Sequence, residues 1–176
     1  MQPARRWWLG APIVIVSAAI LYFVGSGRVS LWDRDEAWYA QTSKQMLESG
    51  DWVVPRFLDA PRYAKPILIY WCQAASMKFF GPTVLAARIP SAVAMVGTIV
   101  LLGVVLKHAV GAHQASLTIL IFASSAMVIA SAKMCLTDSV MLFFLTAAQL
   151  AMFSIYRNPR GAAAPWLLWI DRKSVV

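Results

Sequence analysis

Charge is scarce in this sequence. Only 14% of its 176 residues are charged, against about 25% in an ordinary soluble domain. Acids are scarcer than bases: eight Asp and Glu stand against 16 Lys and Arg, for a net charge of +8. There are two histidines and two cysteines. No CxxC pair exists, and neither His108 nor His113 has a carboxylate or thiol at ligand spacing, so no zinc-type motif is present. Both histidines read as polar residues of a short loop, 107–114. Cys72 and Cys135 lie among apolar residues and read as two buried thiols. A disulfide is the alternative if both face an oxidising compartment. What fills the chain instead is hydrophobic, at 60% of residues and a mean hydropathy of +0.63. That composition excludes a soluble enzyme and a disordered tail. The chain is a membrane protein.

The basic excess follows the apolar runs. Arg5, Arg6, Lys107, Arg157 and Arg160 flank them, as topology-setting residues do. Nucleic acid is therefore excluded as a partner, and membrane lipids are expected. Trp7–Gly25 carries no charge over 19 residues, enough to cross about 30 Å of hydrocarbon. It reads as an uncleaved first span, because further spans follow. Ile89–Leu106, Ala115–Ala132 and Ser139–Tyr156 read as three more, with Pro90 in the first turn of the second. Trp166–Ile170 begins a fifth. The fold class expected is all-α: a polytopic transmembrane bundle of about four full spans and the start of a fifth.

Between the first two runs lies the polar part, from Ser26 to about Gly81, holding six of the eight acids. Asp33–Glu36 opens a helical pattern with capping-box spacing, and Gly50 stops it. Asp51–Pro66, with three prolines, reads as an ordered loop. Pro66–Met77 is apolar but short for a span. It fits an interfacial helix with Tyr70 and Trp71 at headgroup depth.

With the N-terminus cytoplasmic, the flanking bases fall inside, while Ser26–Arg88 and the Lys133–Asp138 turn fall outside. The outer segment also carries eight Lys and Arg. An anionic ligand is an economical explanation for them.

Three groups on that outer side could carry chemistry. Asp35 and Glu36 follow the first span. As helix-terminal acids they could simply cap, a role that suits Asp33 and Glu36 and leaves Asp35 as the better functional candidate. Arg62 and Lys65 precede Pro66. Lysine is a compact charge suited to phosphate, or else it snorkels at the membrane surface. Asp138, beside Thr137, opens the fourth span and could be its cap. Acids and a lysine on one membrane face could hold a lipid phosphate and activate an acceptor.

The runs Asp35-Glu36-Ala37-Trp38-Tyr39-Ala40, Met46-Leu47-Glu48-Ser49-Gly50-Asp51-Trp52-Val53-Val54-Pro55 and Tyr63-Ala64-Lys65-Pro66-Ile67-Leu68-Ile69-Tyr70-Trp71 resemble, in order, one family. It is the N-terminal third of the bacterial polyprenyl-phosphate-sugar glycosyltransferases of the GT-C superfamily. These are the aminoarabinose transferases of lipid A and the related protein mannosyltransferase-like enzymes. Ala87-Arg88-Ile89-Pro90-Ser91 and Leu136-Thr137-Asp138 are also similar. The resemblance implies an inverting transferase at the outer face of the bacterial inner membrane. It would move a sugar from a polyprenyl-phosphate carrier to lipid A, a protein or a glycan. By motif match Asp35 is the catalytic carboxylate, with Glu36 beside it. Lys65 contacts the carrier phosphate, with Arg62, Tyr39 and Asp138 as further substrate-binding residues. Trp38 stands where arginine is common, and Arg62-Tyr63 where tyrosine-phenylalanine is usual. Ala64 replaces a glutamate linked to metal binding in the family. No cofactor follows from the residues, and the ligands of a divalent metal are not identified.

The rival class is a non-catalytic multi-span protein, a transporter fragment or assembly factor. A transporter places its ionisable residues at the midplane of spans, and these spans have almost none. Residues 1–170 read as the truncated N-terminal part of a transferase membrane domain, and such a piece is expected to be inactive alone. Residues 171–176 read as a non-native tail, since Asp-Arg-Lys-Ser-Val-Val can be encoded by a common sequencing adapter. Resequencing the locus should show the frame continuing past Val176. A native stop there would refute the truncation.

Overall fold

The computed structural model describes residues 10–32, 34–58 and 60–157. Helices dominate them: α1 (Gly10–Phe23), α2 (Arg34–Ser49), α3 (Leu68–Phe80), α4 (Val84–Val110), α5 (Ala112–Ser124), α6 (Ala126–Lys133) and α7 (Thr137–Arg157). A small antiparallel hairpin, β1 (Arg56–Phe57) with β2 (Ala60–Pro61), interrupts the proline-rich loop. Asp33, the tail and the fifth apolar run lie outside the described residues.

α4 and α7 are long and apolar enough to cross a membrane, about 40 and 32 Å at 1.5 Å per residue. They pack so closely that a Cβ on Gly97 would lie 2.8 Å from the Phe143 ring. α4 starts earlier than its apolar run, because the Thr83 side chain accepts from the Ala86 N–H and caps it. Pro90 therefore falls in the second turn rather than the first.

The third run is not one straight helix. α5 and α6 meet at Ser125 with a 63° bend, where the Ser125 N–H turns back to the Phe122 carbonyl at 3.2 Å. The break removes a helical partner from the Ala123 carbonyl. The buried Tyr22 hydroxyl of α1 donates to it at 2.9 Å, as a dry environment requires. The 107–114 loop also differs. Gly111, at φ +94, reverses the chain in one residue. α4 therefore continues through His108 and α5 already contains His113. The first span is described only from Gly10.

Tyr22, Met95, Ile99 and Ile119 form a core between α1, α4 and α5, continued by Val128 and Ala132 of α6. A second core joins α2, α3 and α7 through Tyr39, Met46, Ile69, Tyr70 and Val140. Tyr70 is thus fully buried within the protein. The amphipathic face of α3 points it at α2, while Trp71 is exposed and donates to the Trp52 carbonyl at 2.6 Å.

One ion pair ties the polar end together. Glu36 and Arg88 are both buried. Arg88 Nε and Nη2 donate to the two Glu36 carboxylate oxygens at 3.1 and 2.8 Å. Its Nη1 and Nη2 also serve the carbonyls of Ser26, Val29 and Ser30, at 2.8, 2.9 and 3.1 Å. Those carbonyls belong to the irregular chain between α1 and α2. Glu36 in turn accepts the N–H of Trp32 and of Cys135, both at 2.8 Å. Burial alone would raise the Glu36 pKa. The Arg88 bonds and the two backbone N–H groups outweigh it and hold the carboxyl below its ordinary 4.5.

A lowered pKa stabilises the fold fully above the unfolded value and loses that contribution as pH falls through the folded one. The purified protein in detergent should therefore lose thermal stability on acidification below about pH 4.5. Arg88→Met strands a buried carboxylate and should cost about 3–5 kcal/mol. Equal melting of wild type and variant at neutral pH would refute the role given to the pair.

Candidate functional site at the polar end of the bundle

The residues singled out in sequence all lie at one end. The first turn of α2 carries Asp35, exposed, directly before the buried Glu36. In a helix its neighbours are the residues three and four along, Trp38 and Tyr39. Each leads to a different part of the site.

Trp38 leads to the basic residues. The Arg62 guanidinium lies 4.4 Å from its ring centre and 6.0 Å from that of Phe57, and Arg34 lies 4.7 Å from Trp38. Such stacking is worth about 0.5–2 kcal/mol and fixes an otherwise mobile cation. The Arg62 N–H donates to the Pro55 carbonyl at 2.7 Å, closing the hairpin. Three residues on, Lys65 is exposed in the strap leading to α3.

Tyr39 leads to the second acid. Its ring packs 5.7 Å from Tyr70, and its hydroxyl accepts from Thr137 Oγ1 at 2.9 Å. Thr137 therefore serves Tyr39 instead of capping α7. Asp138 follows it, exposed, in the first turn of α7. The turn before α7 is held to α2 by Glu36, through the Cys135 N–H and through the thiol, which donates to the Glu36 carbonyl at 3.4 Å. Burial pushes the Cys135 thiol pKa up, and the Glu36 charge adds to it. Both cysteines are free, and Cys135 is buried as expected while Cys72 is half-buried.

Five buried polar side-chain atoms of α2, α3 and the strap between them have no well-formed hydrogen bond among the described residues: Thr42 Oγ1, Gln45 Oε1, Arg62 Nε, the Tyr70 hydroxyl and Ser76 Oγ. Burial pushes the Tyr70 pKa up, and the Arg62 guanidinium facing its hydroxyl at hydrogen-bonding range, with the Lys65 charge, pulls against it. Asp35, Lys65 and Asp138 make no side-chain hydrogen bond or ion pair among the described residues. The three share one end of the bundle. Two clefts open there, one walled by Trp38 and Phe57 and one by Glu36, Arg88 and Lys133, and Asp35, Lys65 and Asp138 line neither.

No three His, Cys, Asp or Glu side chains gather to hold a metal ion among the described residues. Ala64 supplies no donor beside Lys65. The described residues thus do not fit a metal.

Sequence reasoning gave Glu36 a place beside the catalytic acid. The structure gives its carboxylate four hydrogen bonds and no exposure. It missed Arg88 as a partner, although a lone arginine at the start of an apolar run is a signal in itself. Gln73 was missed too. It is fully buried, accepts from Ser43 at 2.8 Å and donates to the Cys135 carbonyl at 3.2 Å.

Partnered and unpartnered polar groups should respond oppositely to deletion. Ser43→Ala removes a partner of buried Gln73 and should destabilise by about 1–3 kcal/mol. Thr42→Val removes a fully buried hydroxyl with no partner among the described residues and should leave the melting temperature unchanged or raise it. A large loss in Thr42→Val would show that the hydroxyl is bonded in the folded protein.

An aminoarabinosyl transferase of Shewanella sediminis, named as acting with undecaprenyl phosphate-alpha-4-amino-4-deoxy-L-arabinose, is 31% identical over 85% of this chain and 27% of its own length. A like-named transferase of Sodalis glossinidius is 35% identical over 96% of this chain and 30% of its own. The chain thus spans less than a third of these relatives. Two crystal structures of ArnT from Cupriavidus metallidurans, apo and bound to undecaprenyl phosphate, share the fold at 22% identity. Their TM-scores are 0.85 and 0.84, over 93% of this chain and 30% of theirs. The polytopic helical membrane fold expected from sequence is the one found. The model of the dolichyl-phosphate-mannose-protein mannosyltransferase family matches residues 7–170, and the chain belongs to that family.

Proposed function

We propose that this chain supplies the carrier-phosphate end of a glycosyltransferase. The enzyme transfers a sugar from a polyprenyl-phosphate carrier to lipid A, a protein or a glycan at the outer face of the bacterial inner membrane. The observation that carries the reading is the cluster of Arg62, the Tyr70 hydroxyl and Lys65, of which Lys65 is exposed without a side-chain partner among the described residues. Arg62 Nε has no acceptor among the described residues, and a phosphate would complete it. The relatives named for undecaprenyl-phosphate-linked aminoarabinose support the same donor class.

In this mechanism the acceptor oxygen attacks the anomeric carbon. The bond from that carbon to the carrier's phosphate oxygen breaks, and the electron pair leaves with the phosphate. Lys65 and Arg62 stabilise the charge that develops there. Asp35 takes the acceptor proton. It is exposed next to Trp38 and Tyr39 and makes no ion pair among the described residues. Asp138 lies at the start of the neighbouring helix and orients the acceptor or the sugar. Glu36 is a positioning residue, since its oxygens are committed to Arg88 and the backbone.

Asp35→Asn in the full-length protein should lower turnover by about 10²–10⁴-fold and leave carrier binding nearly unchanged. Lys65→Ala should weaken carrier binding by about 10–150-fold. Assays with a polyprenyl-phosphate sugar and a separate binding titration distinguish the two. Near wild-type turnover in Asp35→Asn would return that residue to a helix-terminal role.

A further inference from the structure

Two residues of the strap before α3 depart from those usual in the family, in opposite senses. Ala64 takes the place of a glutamate linked to metal binding, and Arg62 brings a cation where tyrosine is usual. The strap loses a metal donor and gains a positive charge two residues away. At position 38 the exchange runs the other way, with an aromatic ring where arginine is common. The structure brings these positions together, since the Arg62 guanidinium lies 4.4 Å from the Trp38 ring centre.

On the assignment of Lys65 and Arg62 to the carrier phosphate made above, we propose that Trp38 is the positioning residue for Arg62, and that the two cations take the place of a divalent metal, so that carrier binding by this chain needs none. The charges match. The phosphate that leaves with the carrier bears about two negative charges near neutral pH, and Lys65 with Arg62 brings two positive ones. The donor set agrees. No three His, Cys, Asp or Glu side chains gather among the described residues, and position 64 offers only a methyl group.

The way Arg62 is held suits it to the part. Trp38 and Phe57 meet edge to face, with ring centres 6.0 Å apart at 64°, and the guanidinium lies within 6.0 Å of both. Beneath it the backbone is tied to Pro55. Aromatic faces attract a cation without neutralising it, whereas a carboxylate would fix it and cancel its charge. Arg88 shows the second case, committed to Glu36. Arg62 makes no ion pair among the described residues, and its Nε has no acceptor there. The side chain is half-buried, so its planar fork would meet a partly desolvated phosphate, where charge-assisted bonds are strong.

Calorimetric titration of the full-length protein in detergent with a polyprenyl phosphate tests this. The wild type should bind with the same Kd in EDTA as with added magnesium, manganese or zinc, a comparison independent of any variant's folding. Arg62→Gln should weaken binding by about 10–150-fold, with no rescue by metal. Trp38→Leu should weaken it by about 2–30-fold, Trp38→Phe by less, and Trp38→Leu should add nothing once Arg62→Gln is present. Loss of wild-type binding in EDTA, restored by any of the three metals, would overturn the proposal, as would an equal effect of Trp38→Leu with and without Arg62. Asp59 lies outside the described residues. Asp59→Asn should leave the affinity unchanged, and a loss there as large as in Arg62→Gln would overturn the role of Trp38 by giving Arg62 an acid partner. Lys65→Ala reads the carrier site itself. Its loss of binding alongside a metal-dependent wild type would leave the functional reading standing and sink the proposal alone, whereas full binding in both Lys65→Ala and Arg62→Gln would sink both.

Discussion

Irregular backbone at the end of a membrane bundle must find hydrogen-bond partners within the protein. The Glu36–Arg88 pair meets that demand for two segments at once. Arg88 serves three carbonyls of the chain between α1 and α2, and Glu36 serves the N–H groups of Trp32 and Cys135. A buried ion pair is weak evidence of stability by itself, because desolvation offsets attraction. Here each partner also saturates peptide groups that have no helical partner. The pair fixes the starts of α2 and α7, and with them the positions of Asp35 and Asp138. It is a division of labour between adjacent acids, one buried and committed, the other exposed and chemically available.

The same rule shapes the rest of the polar end. Gln73 serves the Cys135 carbonyl, Ser91 the Leu136 carbonyl at 3.3 Å and Ser139 the Ser131 carbonyl at 2.8 Å. Lys133 reaches the Val24 carbonyl at the end of α1 at 2.8 Å. Side chains from α2, α3 and α4 therefore hold a turn only three residues long, Met134–Leu136. Among the described residues the buried polar atoms without a hydrogen-bond partner, Thr42 Oγ1, Gln45 Oε1, Arg62 Nε, the Tyr70 hydroxyl and Ser76 Oγ, sit in α2, α3 and the strap between them rather than in this turn.

Much of this was legible in the sequence. Long uncharged runs reveal spans because the bilayer imposes a length. Asp35, Lys65 and Asp138 fall at one end because the alternation of runs and polar segments assigns sides. Gly50, at φ +72, ends α2 where its type implied. What stayed hidden depends on contacts distant in sequence. Glu36 and Arg88 are 52 residues apart, and no local pattern couples them. The break at Ser125 reads as uninterrupted apolar sequence, since serine is tolerated in spans and only the Tyr22 hydroxyl makes the freed carbonyl acceptable. Tyr70 fits either an interface or a core by composition. The register of α3 against α2 decides, and that register is a tertiary fact.

At the far end of the described bundle, the connection from α4 to α5 is reduced to Gly111 alone. A one-residue reversal presents almost nothing to the water beside it: no loop to bend toward a partner, no strap to close over a molecule, no flexible tip for a protease to enter. The two ends are therefore unequal in what they can evolve. Substitutions in the 26–66 segment and around residue 134 can reshape what the protein meets, whereas this reversal has only a left-handed glycine to vary. Among the described residues, diversity of recognition is confined to one face of the membrane by the brevity of the turn on the other.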